Sequence, residues 1–167
     1  MQSPENRQES MSLSQRWQAV MAQLRQAEQA VGRAHGSVNL LAVSKLHPAQ
    51  AIRELYAAGQ TAFGENYVQE ALDKMVALAD LPLQWHLIGP LQSNKTQQVA
   101  ANFDWVHSVD RLKIAQRLSA QRPTLLPPLQ ICLQVNIDDE DSKSGCALAD
   151  LPALAEAVLA LPQLRLR

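Results

Sequence analysis

Several short apolar segments of this chain run directly into side chains able to handle a small electrophile. They end in Ser44 and Lys45, in Glu65 and Asn66, in residues 86–89 (HLIG), in His107, Ser108 and Asp110, and in residues 134–136 (QVN). Lys45 carries the most distinctive chemistry of the set. An amine at the end of an apolar strand loses part of its hydration, which lowers its pKa and makes the neutral nucleophile available to an aldehyde. Such Schiff-base chemistry suits a pyridoxal phosphate site, an aldolase or a decarboxylase. The competing reading of Lys45 is a solvated charge where a strand meets water. His86 alternates with Gln84 and Ile88, so the three share one side of a strand, and the competing reading there is a hydrogen-bonded interior histidine. Asn66 competes with a role as N-cap of the helix that follows, with Gln69 three residues on.

Other chemistries are excluded by spacing. The stretch GPLQSNKT (89–96) lacks the glycine that a phosphate-binding nucleotide loop needs before its Lys-Thr. Asn94, Lys95 and Thr96 form a glycosylation sequon, which carries little weight in a sequence with no secretory signal. The acidic run at 138–141 does not follow calcium-loop spacing, and Cys132 and Cys146 have neither metal spacing nor the number for a disulfide framework.

The strand ends must be positioned by a fold, and hydrophobic periodicity predicts one. Residues 1–11 have no periodicity and read as a mobile tail; residues 12–167 read as one domain. Ser12 with Gln15 matches a capping box, and Leu13, Trp17, Val20, Met21, Leu24, Ala27 and Val31 continue as one amphipathic helix. Predicted strands begin near residues 38, 61, 84, 105, 129 and 164, and the segments between them carry helical patterns. The strand at 129–137 alternates most clearly, with apolar residues at 129, 131, 133, 135 and 137. Serial strand–helix units without hairpin signals predict a parallel sheet. Two architectures compete, the open doubly wound sheet and the closed (β/α)8 TIM barrel. Even spacing and the absence of a glycine-rich first turn favour the barrel. A whole barrel takes roughly 250 residues, so a chain of 167 residues is expected to hold an incomplete one, a fragment of a longer protein. Two copies completing each other is the alternative.

Composition narrows the function further. Lys plus Arg is 15 against 16 Asp plus Glu, a net charge of −1, without the basic excess that phosphate neutralisation of nucleic acid requires. No apolar run approaches the roughly 18–20 residues of a membrane span. Apolar residues at 47% and charged ones at 19% are a globular composition. The polar start of the chain is no signal or transit peptide, so the expected compartment is the cytoplasm.

Four motifs, LLAVSKLHP, FGENYVQE, WHLIGPLQSNK and VNIDDEDSKSG, fall in an order that resembles the pyridoxal phosphate homeostasis protein family. The resemblance covers about residues 12–167 and implies a barrel like the N-terminal domain of alanine racemase. It implies that Lys45 holds pyridoxal 5'-phosphate as an internal aldimine, that Asn66, His86 and Asn136 line the pocket, and that Lys143 is a second lysine near the mouth. It implies a role in intracellular cofactor homeostasis with no defined reaction and no catalytic residue. The alternative is an amino-acid racemase or decarboxylase, which needs a second acid/base; the tyrosines available are Tyr56 and Tyr67. A third reading is a regulatory module that binds another protein through an exposed sheet edge. Members of the family continue for about another third of their length, with Ser- and Gly-rich segments for the phosphate and an arginine facing the pyridine nitrogen. The chain alone is therefore expected to bind the cofactor weakly. The full-length protein is expected to be a monomer, with association through the open sheet edge in a shortened one.

Overall fold

A computed structural model describes residues 11–138 and 144–167. The expected tail lies, Met11 apart, outside the described residues, as does Lys143. Helix α1 (Leu13–Ala30) begins as the sequence predicts. Ser12 Oγ accepts from Gln15 N at 3.2 Å, and Gln15 Oε1 accepts from Ser12 N at 2.9 Å. The rest is serial: β1 (Ala42–Val43), α2 (Ala49–Ala58), β2 (Ala62–Glu65), α3 (Val68–Ala77), β3 (Gln84–Leu87), α4 (Thr96–Asn102), β4 (Trp105–Val109), α5 (Leu112–Gln121), β5 (Leu129–Leu133), α6 (Leu151–Leu159) and β6 (Leu164–Leu166). None of the described helices is long and apolar enough to cross a membrane.

All six strands are parallel, and their order in the sheet is their order in the chain. That order decides between the two architectures. A doubly wound sheet reverses direction at a switch point; here every strand lies beside its predecessor, as in a (β/α)8 barrel. The architecture is that of an incomplete TIM barrel, with six strands described.

Alternation along the strands separates two faces. Phe63, Leu87, Val106, Leu129 and Ile131 are fully buried with Ile52, Val99, Ile114, Leu118 and Val158 from the helices, and form the core between sheet and helical layer. On the opposite, concave face one register row runs Gly64, His86, Trp105, Gln130 and Arg165. This row is mostly polar or aromatic, unlike the aliphatic core behind the sheet.

Two predicted strands are shorter than expected. At the first, side chains take the backbone groups that would have paired. Ahead of β1, Val38 N donates to Glu28 Oε1 at 2.6 Å, Val38 O accepts from Arg25 Nη2 at 3.2 Å, and Leu40 O accepts from Gln60 Nε2 at 2.8 Å. The buried Glu28 carboxylate also accepts from Arg25 at 2.7 Å and from Gly36 N at 2.9 Å, and these partners, Arg25 foremost, lower its pKa to about 2. Beyond β5, Val135 makes only an isolated bridge with Cys146, and Ile137 is 83% exposed. The alternation read at 129–137 therefore stops marking buried positions after Ile131.

Candidate functional site

The carboxyl ends of β1 and β2 are tied together from behind. Ser44, just past β1, is buried, and its hydroxyl donates to Glu65 Oε1 at 2.6 Å. Glu65 is fully buried at the end of β2 and pairs with Lys74 Nζ at 2.7 Å, reaching across from α3. Lys74 Nζ also donates to Ser44 O at 2.8 Å and to Glu70 Oε1 at 2.6 Å. The Lys74 ammonium, helped by the Leu46 N–H, holds the Glu70 carboxyl below its usual range despite partial burial.

Lys45 sits between these anchors. It is exposed, and its amine makes no hydrogen bond or ion pair among the described residues. Ser44 faces the helical layer, and Val43 pairs with Gly64. Lys45 and Leu46 form a turn past β1, closed by His47 N donating to Ser44 O at 3.0 Å, at the same end of the sheet as Asn66 past β2. The helix after Asn66 starts at Val68 with Tyr67 as N-cap and no side-chain cap bond, so Asn66 is not the cap that its sequence position allowed.

Asn66 is fixed by contact with its neighbour strand. Ile88 N donates to Glu65 O at 2.9 Å, and the Gly89 backbone lies directly against that of Asn66, so close that a Cβ at residue 89 would fall 2.3 Å from Asn66 O. Gly89 O in turn accepts from the buried Ser108 Oγ at 2.7 Å. Further round the same end, Ile88, Pro90, Gln134, Asn136 and Asp138 help line a cleft of about 370 Å³. Asn136 N donates to Cys146 O at 2.9 Å, and Gln134 Nε2 donates to Ser144 O at 3.0 Å. The strand ends thus bring Lys45, Asn66 and Asn136 to one end of the sheet.

His86 lies lower, level with Val43 and Gly64. It is buried and stacks on Trp105, with ring centroids 5.2 Å apart and planes at 8°. Both its nitrogens are engaged, Nε2 with Gln84 Oε1 at 3.0 Å and Nδ1 with His107 Nε2 at 2.9 Å. With Gln84 Oε1 accepting, His86 carries its proton on Nε2 and its bare Nδ1 accepts from His107 N–H. Burial, and secondarily His107, lowers the His86 pKa from the ordinary 6.5 to about 4.

An acid sensitivity follows. In the unfolded chain His86 takes up its proton near pH 6.5, whereas the folded protein resists until about pH 4. The stability this group contributes is therefore complete above pH 6.5 and is lost as the pH falls toward 4. Urea midpoints measured across that window are expected to fall with pH, and His86→Phe is expected to flatten the dependence. An unchanged slope in the variant would assign the acid sensitivity elsewhere.

Sequence reading missed the Glu65–Lys74–Glu70 group. The Glu70 and Lys74 spacing of four was visible, but it looks the same as an exposed helical ion pair. Among the described residues no group of three or more His, Cys, Asp or Glu side chains is placed to hold a metal ion.

Comparison with known proteins sets this geometry in context. Residues 16–167 match the family described as alanine racemase, N-terminal domain. The chain is 68% identical to the pyridoxal phosphate homeostasis protein of Pseudomonas aeruginosa, over 89% of this chain and 64% of that protein. It is 54% identical to the protein of the same name from Vibrio cholerae, over 93% of this chain and 68% of the relative. The chain thus spans about two thirds of the length of the curated relatives it matches. Among solved structures it resembles PipY of Synechococcus elongatus with pyridoxal phosphate bound, at 46% identity and a TM-score of 0.73, covering 88% of this chain and 68% of PipY.

Proposed function

This chain belongs to the pyridoxal phosphate homeostasis protein family, and on that premise we propose that the protein holds pyridoxal 5'-phosphate covalently on Lys45 and keeps it available to other proteins of the cytoplasm, with no reaction of its own. In this reading residues 12–167 are the cofactor-binding part of a monomer's barrel. The observation that carries it is the contrast between two lysines. Lys74 is buried with three acceptors around its ammonium, whereas Lys45 is exposed at the end of β1 with its amine uncommitted among the described residues. Only the second can reach an aldehyde.

The residues at this end suit such a cofactor. A bound pyridoxal phosphate supplies an aldehyde and an electron-withdrawing ring. Lys45 would supply the primary amine for a C=N linkage to that aldehyde, with the two amine hydrogens and the aldehyde oxygen leaving as water. Asn66, at the same end of the sheet as Lys45, carries an amide able to donate to and accept from ring substituents, and Asn136 stands beside the cleft. His86, with both nitrogens spent below this level, shapes the floor instead of donating to the ligand.

Reductive trapping tests position independently of affinity. The protein is mixed with pyridoxal 5'-phosphate, reduced with borohydride and mapped by mass spectrometry. The label is expected on Lys45 in at least roughly tenfold excess over Lys95 and Lys113, reflecting a held rather than a chance encounter. An even spread over the accessible lysines would sink the proposal.

A further inference from the structure

We propose that Glu65, Lys74 and Glu70 form a clamp that positions Lys45, with Lys74 as its central positioning residue; this rests on the reading of Lys45 as the amine that takes the cofactor. The clamp does not touch the Lys45 side chain. It fixes the residues on either side.

Ser44 is tethered three times. Its N–H donates to Gly64 O at 2.9 Å, its hydroxyl to Glu65 Oε1 at 2.6 Å, and its carbonyl accepts from Lys74 Nζ at 2.8 Å. On the other side, Leu46 N donates to Glu70 Oε1 at 2.7 Å. The two tethering carboxylates are joined through Lys74, at 2.7 Å to Glu65 and 2.6 Å to Glu70. An ammonium has three donors, and all three are spent here. The group is well shielded, with side-chain exposures of 0% for Glu65, 8% for Lys74 and 27% for Glu70.

Backbone conformation gives a second, independent sign. Leu46 has φ of +63°, alone in this region among the described non-glycine residues. A leucine holds that conformation only where its surroundings impose it, and the Glu70 tether acts on this residue. The chain must turn sharply after Lys45, and the turn leaves the Lys45 side chain exposed while Ser44 points inward. A buried ion pair is weak evidence for stability alone, because apolar replacements often serve as well. What it does supply is a defined geometry, and here that geometry ends on the two neighbours of one lysine.

The test compares two ligands on the intact chain. Pyridoxal 5'-phosphate reports C=N formation by its visible absorbance and by borohydride trapping; pyridoxine 5'-phosphate, an alcohol at the same carbon, reports non-covalent binding alone. Lys74→Met is expected to lower C=N formation on Lys45 about tenfold or more, since small misplacements of a reacting group are costly, while changing binding of the alcohol less than about twofold. Glu70→Leu, at the most exposed member, repeats the test where Lys74→Met does not fold. Glu70→Gln keeps an acceptor for Leu46 N–H and is expected to restore most of the loss. Equal weakening of both ligands in Lys74→Met and Glu70→Leu, or no change in either, overturns the clamp. Failure of the unaltered protein to trap label at Lys45 overturns the underlying reading instead, so the two failures are distinct.

Discussion

Replacing Lys45 by alanine is expected to abolish both the visible C=N absorbance and the borohydride-fixed label, a loss of more than about a hundredfold, because the reaction requires a primary amine at that place. Lys45→Arg sharpens the point. Guanidinium keeps the positive charge and so keeps any attraction for the phosphate, but it stays protonated at all working pH values and does not condense. The arginine variant is therefore expected to retain non-covalent cofactor and to lose the linkage. Lys74 is not expected to substitute. Its three donors are held at 2.6–2.8 Å and its side chain is 8% exposed, so taking up an aldehyde would strip two carboxylates and a carbonyl of their partner. Label that moves to Lys74 in the alanine variant would show the clamp to be looser than its distances imply. Folding should hardly notice either change, since exposed substitutions away from such networks stay within about 0.5 kcal/mol. Equal urea midpoints would confirm that a lost linkage is chemical and not a consequence of unfolding, and a band that persists in Lys45→Ala would end the assignment.

The position of Lys45 just past the first strand is legible because that signal is local. An apolar run, a polar stop and a helix start can all be read within ten residues. The same locality explains the Ser12 cap and the strand–helix alternation, which return in the structure with the first and fifth strands shortened. Strand order separates barrel from doubly wound sheet only through pairing, and pairing is not written in periodicity. The clamp was invisible for a similar reason. Lys74 is a last-turn helical lysine four residues after a glutamate, and only the approach of α3 to the ends of β1 and β2 buries it. His86 and His107 each read as strand residues 21 apart; the register that sets His86 beside Trp105 also brings the two rings together. Where side chains compete for backbone groups the sequence misleads, as at Val38 and Leu40, whose apolar character promised a longer first strand. Lys143 lies outside the described residues, so its place near the mouth stands on resemblance.

Gly89→Ala is expected to cost about 3 kcal/mol, the upper end of what a forced contact costs in a packed interior. A Cβ there would meet Asn66 O at 2.3 Å, Asn66 Cα at 2.7 Å and Asn66 C at 2.8 Å. All three are backbone atoms, so no rotamer change relieves the overlap. Separating the strands does not relieve it cheaply either, because Ile88 N is bound to Glu65 O at 2.9 Å and Ser108 Oγ to Gly89 O at 2.7 Å. Against the clash stands the entropy that alanine removes from the unfolded chain, about 0.4–1 kcal/mol in favour of folding, which is too small to change the sign. Gly64→Ala is the control. Its Cβ would come 3.1 Å from Ile88 Cδ1 and 3.5 Å from Leu41 side-chain atoms, and a methyl group can swing aside, so a loss of about 1 kcal/mol or less is expected. Ser108→Ala removes one buried hydrogen bond and leaves Gly89 O without that donor, for roughly 1–3 kcal/mol. Equilibrium urea unfolding orders the three. If Gly89→Ala proves as stable as Gly64→Ala, the strand ends are free to part, and Asn66 is not held where the site needs it. If it is the least stable, the contact that excludes a side chain at residue 89 is also what fixes Asn66 at this end of the sheet, and on the proposed reading cofactor trapping in that variant should fall even at temperatures where it remains folded.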